Sequence, residues 1–427
     1  MRVAVIGAGA AGVACARHVA HSDAGHTCVV YEQNGQLGGT WVYDERTGEN
    51  EYGVPIHTSM YKSLRTNLPK EIMGFPEFPI PKNEESYIPA KDILKLIDDY
   101  ATHYNVKQHI KFHRRVLRVH PRGGEGGDGG EGGGWEVTVR DVRTGEDATE
   151  RFDAVMVCNG HYWKPYIPTL AGAESFSGEQ LHSHDYRTPL RFRGRRVLVI
   201  GAGPSGMDLT LEIASAAEHV IMSHHHKEEI STVFPNNVEQ RYDVARLNGD
   251  TVEFVDGTSA TVDTILYATG FLYDFPFLSE ACGVRVEHNH VRPLYKHLIH
   301  VDHPTLCFVG LPFYVCAFLL FDLQARFFLR TLEGRVRLPS RQAMLADAER
   351  DQEQRRRAGL GPRQAHMLGP MQGDYYDELA DFAGLPRVPP VMAALHNESS
   401  SRFLEDLVHY RSDIYRIVDD STFLKVK

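Results

Sequence analysis

The six cysteines of this 427-residue chain, Cys15, Cys28, Cys158, Cys282, Cys307 and Cys316, include no C-x-x-C pair. That spacing excludes a redox-active dithiol, a zinc ribbon and a disulfide framework. There is no excess of positive charge: Lys+Arg 46 against Asp+Glu 56 gives a formal net charge of -10. A nucleic-acid binder would show the opposite balance, so no nucleic-acid partner is expected. Long apolar runs are also missing. The one extended uncharged stretch, 305–321, is broken by Gly310-Leu311-Pro312 and falls short of the about 20 apolar residues of a membrane span. It reads as a buried strand followed by the start of a core helix. The first residues run from Met1-Arg2-Val3 straight into glycines, without the apolar core of a secretory signal. Residues 401–427 carry charges throughout. A soluble, cytoplasmic protein with no membrane partner is expected, or a secreted one if a leader has been removed. Nor does any Ser–His–Asp set or carboxylate pair suggest itself for catalysis.

What the chain does have is glycine in two informative places. The apolar run Val3-Ala4-Val5-Ile6 leads into Gly7-Ala8-Gly9-Ala10-Ala11-Gly12 and then a helix-compatible segment. In a strand–G-x-G-x-x-G–helix unit, Gly7 allows the tight turn and Gly9 lets a pyrophosphate approach the backbone. Gly12 lets helix and strand pack closely. A second strand, 28–31, ends in Glu32, about 20 residues past the last glycine, where a carboxylate accepts ribose hydroxyls and repels a 2′-phosphate. This cradle suits FAD or NAD.

The pattern recurs at Val197-Leu198-Val199-Ile200 followed by Gly201-Ala202-Gly203-Pro204-Ser205-Gly206, a helix over 207–216 and a strand over 219–222. Here the strand ends in Ser223-His224-His225-His226-Lys227. A hydroxyl, imidazoles and an ammonium replace the carboxylate, which favours NADPH over NADH. Consecutive histidines diverge on a strand or loop and lack the partner spacing of a chelate, so no metal is expected. Two cradles imply electron flow from NADPH into a bound flavin, and without a dithiol the acceptor is oxygen, a quinone or a small molecule.

Elsewhere, residues 123–134 are almost all glycine, the elongated tip of a hairpin whose arms, 116–119 and 135–140, alternate like strands. Helical periodicity is present over 90–104 and over 340–359. The second of these is expected to place Arg355-Arg356-Arg357 on a solvated helix end, with Asp351–Arg355 and Glu353–Arg357 at i,i+4 spacing.

Between the cradles lies Phe176-x-Gly178-x-x-x-His182-x-x-x-Tyr186. With it go Leu37-Gly38-Gly39-Thr40-Trp41, Leu64-Arg65-Thr66-Asn67, Asn159-Gly160-His161-Tyr162, Tyr267-Ala268-Thr269-Gly270-Phe271 and Asp322-Leu323-Gln324-Ala325-Arg326. In this order they resemble the flavin-containing monooxygenases along nearly the whole chain, the glycine-rich insert and the C-terminal quarter excepted. A short form without a C-terminal hydrophobic anchor also resembles the insect pyrrolizidine-alkaloid (senecionine) N-oxygenases. The related Baeyer–Villiger oxygenases carry Trp where this chain has Tyr186.

The resemblance implies an α/β fold with two Rossmann-like dinucleotide-binding domains. The NADPH domain, 164–273, is inserted into an FAD domain made of 1–163 and 274–427. It implies NADPH- and O2-dependent N- or S-oxygenation of soft nucleophiles, tertiary amines or thioethers, through a C4a-hydroperoxyflavin. Asn67 then stands beside the flavin edge and meets both cofactors. Read without the family, Asn67 before Leu68-Pro69 is a turn residue and His182 a satisfied structural histidine. Gly39, Thr40, Trp41, Thr269 and Gln324 are assigned to the cofactors on the same basis, beside Gly7, Gly9, Gly12, Glu32, Gly201, Gly203, Ser205, Gly206, Ser223, His224, His225 and Lys227. A Baeyer–Villiger ketone oxygenase and a non-oxygenating redox sensor are the alternatives, and a homodimer is possible. Many relatives place Arg after the serine where this chain has His224 and His225. Imidazoles charge near pH 6.5, so the KM for NADPH is expected to rise between about pH 6 and 8 more steeply than that for NADH. Parallel pH profiles for the two nucleotides would contradict this.

Overall fold

The computed structural model describes residues 1–81, 84–123, 133–226 and 228–427. Lys227 and most of the glycine-rich tip, 124–132, lie outside the described residues.

Short, almost uninterrupted apolar runs become strands buried on both faces, the pattern of parallel sheets covered by helices. Val3, Ala4 and Val5 are fully buried, as are Val197, Leu198 and Val199. Around the first set a seven-stranded sheet forms, in the order Leu294–Tyr295, Ile299–His300, Leu306–Phe308, Ala154–Val157, Arg2–Ile6, Thr27–Tyr31 and Ile110–Lys111. The last five strands are mutually parallel and the first two pair antiparallel. Its strands therefore come from both ends of the chain. The second sheet is built wholly from the middle: Val238–Arg241, His219–Ser223, Arg196–Ile200, Thr264–Tyr267 and Glu179–His182, all parallel.

Helix α1 (Ala10–Ala20) packs on the first sheet, followed in sequence by α2 (Ala90–His103). Helix α3 (Pro204–Ala214) packs on the second sheet. Helices α4 (Ala317–Leu332), α5 (Arg341–Arg357), α6 (Gln372–Ala383) and α7 (Pro390–Glu405) complete the chain. One core joins α1, α2, α4 and α6 to the first sheet through Val13, Ile93, Phe327 and Leu379. The C-terminal quarter packs across the second sheet's helix, because Met207 of α3 and Met222 share a cluster with Leu395, Leu407 and Tyr410.

The hairpin arms form at Arg114–Arg122 and Gly134–Asp141, longer than the alternation suggests. Helix α5 has its Ser340 cap, with Ala343 N–H donating to Oγ at 3.3 Å, and both i,i+4 pairs. Arg356 and Arg357 are exposed, whereas Arg355 is only 4% exposed, which corrects the expectation of a solvated end. Its guanidinium turns inward to the Met367 carbonyl and to His297. Among the described residues no helix is long and apolar enough to cross a membrane, and no three His, Cys, Asp or Glu side chains converge as a metal site.

Candidate functional site: two matched dinucleotide cradles

The two glycine turns agree at their first and third glycines. A Cβ on Gly7 would stand 2.7 Å from the Cys158 carbonyl oxygen, and one on Gly201 2.5 Å from that of Ala268. Both residues have positive φ, +99° and +107°. A Cβ on Gly12 would fall 1.8 Å from the Gly7 oxygen, and one on Gly206 1.9 Å from the Gly201 oxygen. These contacts are with backbone, which cannot swing aside as a side chain can, so only glycine lets each helix sit this close to its strand. The middle glycines differ. Gly9 faces Gly39, 3.5 Å from where its Cβ would be, whereas Gly203 has open space around it.

Both helices start without a side-chain cap and without an acidic residue in the first turn. Their first N–H groups and the positive end of the helix dipole therefore remain available to an anion. Gly38 N–H donates to the Ala8 carbonyl at 2.9 Å, which lays the Gly38-Gly39-Thr40 turn over the first cradle. The Thr40 hydroxyl is buried there without a protein partner, and Trp41 is half-buried beside it. Glu32 is 5% exposed and accepts from Ala8 N–H and Asn34 N–H, each at 2.9 Å. Burial pushes its carboxyl pKa up against the pull of those N–H groups. Uncapped amides, an orphaned hydroxyl, a buried carboxylate at the strand end and glycines where the backbone is tightly approached fit an adenine dinucleotide.

In the second cradle the place of Glu32 is taken by His224. Glu32 N–H donates to the Lys111 carbonyl and His224 N–H to that of Arg241, each in the next parallel strand. His224 is 2% exposed, with Nε2 3.1 Å from Gln240 Oε1 and Nδ1 buried without a partner. Ser223 is fully buried and its hydroxyl donates to the Tyr242 carbonyl at 2.7 Å. His225 is exposed and stacks on His226, with ring centroids 5.2 Å apart. Ser205 at the helix start is exposed as well.

The remaining assigned residues lie outside the two glycine turns. Asn67 is exposed on the loop that precedes the turn Lys70–Ile72. The Thr269 hydroxyl donates to the Tyr166 carbonyl. Gln324 is fully buried and spends both ends of its amide within the protein, accepting from Gly310 N–H at 2.9 Å and donating to the Tyr375 hydroxyl at 2.8 Å. It holds the Gly310 turn rather than presenting a free amide. His182 Nε2 donates to the Gly270 carbonyl at 3.0 Å, and its Nδ1 accepts from His184 N–H at 3.0 Å. A proton on Nδ1 would oppose that N–H, so the ring is held neutral.

The same holds for His300, whose Nδ1 accepts from Asp302 and His303 N–H. Burial pushes both imidazoles down to about 4. An unfolded histidine protonates near pH 6.5, so as pH falls from about 6.5 to 4 the unfolded chain takes up protons that the folded chain refuses. The melting temperature is therefore expected to fall through that interval, and in His300→Gln to fall less. Calorimetry giving a flat profile there would contradict the assignment.

Two arginines that tie distant segments together were not singled out in the sequence, although one of them, Arg187, adjoins the motif that ends at Tyr186. Arg187, 8% exposed, donates to the carbonyls of Asp44, Arg46, Thr58, His184 and Tyr186 at 2.7–3.2 Å. Arg411 pairs with Asp208 of α3. The groups they bind are mostly more than a hundred residues away, so no local pattern marks them.

Comparison with known proteins agrees with this geometry. The family described as Flavin-binding monooxygenase-like matches residues 1–230 and 226–398. Senecionine N-oxygenase of Tyria jacobaeae is 33% identical over 433 residues, covering 99% of this chain and 91% of its own. Flavin-containing monooxygenase FMO GS-OX4 of Arabidopsis thaliana is 38% identical over 407 residues, covering 90% and 85%. The structure of S-allyl-L-cysteine S-oxygenase from Allium sativum superposes with a TM-score of 0.87 at 33% identity, over 96% of this chain and 94% of that one.

Proposed function

The chain belongs to the flavin-binding monooxygenase-like family, and from that premise we propose that it oxygenates nitrogen or sulfur in soft nucleophilic small molecules. NADPH, a proton, O2 and a thioether would give NADP+, water and the S-oxide, and a tertiary amine would give the N-oxide. The observation that carries this reading is the pair of matched cradles with different chemistry at the equivalent strand end, the Glu32 carboxylate in one and the His224 imidazole in the other. The first would hold FAD and the second NADPH, in an FAD domain of 1–163 and 274–427 and an NADPH domain of 164–273.

Bound flavin supplies the redox chemistry that couples hydride from NADPH to activation of O2. The protein's part is to bind, orient and keep water out. Gly7, Gly9 and Gly12 admit the FAD pyrophosphate to the amides of α1, Glu32 accepts from the ribose, and the Thr40 hydroxyl finds its partner beside Gly39 and Trp41. Gly201, Gly203, Ser205 and Gly206 do the same for NADPH at α3. Exposed His225 would face the 2′-phosphate, with Lys227 assigned to it on sequence alone, while Ser223 and His224 shape the strand end beneath it. Thr269 and Gln324 fix the turns that wall the junction. Asn67, exposed and free to donate, is the amide assigned to the reacting edge.

The test is product analysis of flavin-loaded protein supplied with NADPH, air and either an alkyl thioether or a tertiary amine. S-oxide or N-oxide formed in proportion to the NADPH consumed supports the proposal. NADPH consumption that yields only hydrogen peroxide, whichever nucleophile is present, refutes it.

A further inference from the structure

The Asn67 loop pairs with the segment before α2, Thr66 N–H donating to the Ile88 carbonyl at 2.9 Å and Ala90 N–H to that of Leu64 at 3.0 Å, and two more distant parts of the chain hold it as well. Arg411, in the short turn Tyr410–Ser412, donates from Nε to the Thr66 carbonyl at 3.2 Å and from Nη2 to the Arg65 carbonyl at 3.4 Å. The same guanidinium forms a forked pair with Asp208, Nη1 to Oδ1 at 2.6 Å and Nη2 to Oδ2 at 3.0 Å. Asp208 lies in α3, the helix that opens from the second cradle, and is 8% exposed. Two further bonds run from the Asn67 loop to this helix. The Tyr61 hydroxyl donates to Asp208, and the Ser63 hydroxyl donates to Glu212 Oε2 at 2.5 Å.

A planar guanidinium that forks onto a carboxylate has a fixed orientation, and its remaining N–H groups are aimed by it. Here they are aimed at the two carbonyls immediately before Asn67. Such a buried pair is weak evidence for stability, since apolar replacements of whole pairs are often neutral. Its effect is on geometry.

We propose that Arg411 and Asp208 are positioning residues that tie Asn67 to the nucleotide-binding helix, so that occupation of the second cradle sets the place of the Asn67 amide. The inference rests on the reading of Asn67 and of the second cradle given above. When NADP(H) orders the start of α3, the constraint passes through Asp208 and Arg411 to residues 65–67. When the nucleotide leaves, that constraint is relaxed, while the pairing with residues 88–90 remains. Neither residue needs to touch a cofactor.

Arg411→Lys is the informative variant. It keeps a positive charge beside Asp208 but cannot reach both carbonyls, whereas Arg411→Met leaves the carboxylate unpaired and risks misfolding. Flavin content and melting temperature are expected to stay close to wild type in Arg411→Lys. Amide exchange over 61–67 should accelerate about tenfold, and the slowing on addition of NADP+ expected of the wild type should disappear. The share of NADPH electrons delivered to product should fall several-fold, with peroxide rising to match. In an Asn67→Ala background the Lys substitution should add nothing further, because both act through one amide. Wild-type exchange and coupling in Arg411→Lys would overturn the inference, as would additive losses in the double variant. If Asn67→Ala alone leaves coupling intact, the reading of Asn67 fails instead, and the exchange response to NADP+ then decides whether the tether exists.

Discussion

Gly206→Ala is expected to slow reduction by NADPH severely while leaving the flavin in place. A methyl at this position would sit 1.9 Å from the Gly201 oxygen and 2.8 Å from its carbonyl carbon, both backbone atoms. Helix α3 must move off its strand, at a cost of about 3 kcal/mol or more, and its free N–H groups leave the phosphate position. Anaerobic reduction by NADPH should slow on the order of 100-fold, while dithionite still bleaches the flavin. Gly203→Ala is the complementary case. Its added methyl meets no protein atom, and the residue's φ of -72° suits any L-residue. The melting temperature should therefore be unchanged, yet the methyl would stand where the backbone must approach a pyrophosphate, raising the KM for NADPH about tenfold or more. A Gly203→Ala protein with wild-type NADPH affinity would remove the second cradle from the account.

Glu32→Ala should purify largely without flavin. The substitution removes the acceptor proposed for the ribose and strands the Ala8 and Asn34 N–H groups that the carboxylate now satisfies. Each buried donor left without a partner costs about 1–3 kcal/mol, so FAD affinity should fall on the order of 100-fold and the melting temperature with it. Glu32→Gln, which retains one acceptor but turns an NH2 toward the other donor, should lie between. Visible absorbance of the purified protein reads the flavin content directly. A full complement of FAD in Glu32→Ala would contradict the role given to the first cradle.

The cradles were legible in the sequence because everything that makes them is local. A buried apolar run, three glycines at fixed spacing and a helix fit within about twenty residues, and Glu32 lies one strand further on. The i,i+4 pairs of α5 were legible for the same reason. What could not be read depended on partners far along the chain. Arg355 has the sequence context of a solvated helix end and is buried because His297 and the Met367 carbonyl come to meet it. Arg187 stands one residue past the Phe176–Tyr186 motif and Arg411 in a segment without periodicity or motif, and their importance follows from the distant carbonyls they gather. His224 shows the limit within a motif. Its place at the strand end could be counted from the glycines, but its burial against Gln240 depends on the register of the neighbouring strand.

The most direct test of oxygen transfer uses isotopically labelled dioxygen. Flavin-loaded protein, NADPH and an alkyl thioether are mixed under 18O2 in ordinary water, and the S-oxide is weighed by mass spectrometry. The account predicts one 18O atom per S-oxide and one S-oxide per NADPH consumed, with little peroxide. An S-oxide carrying oxygen from water, or an unaltered thioether with all the electrons recovered as peroxide, would contradict it.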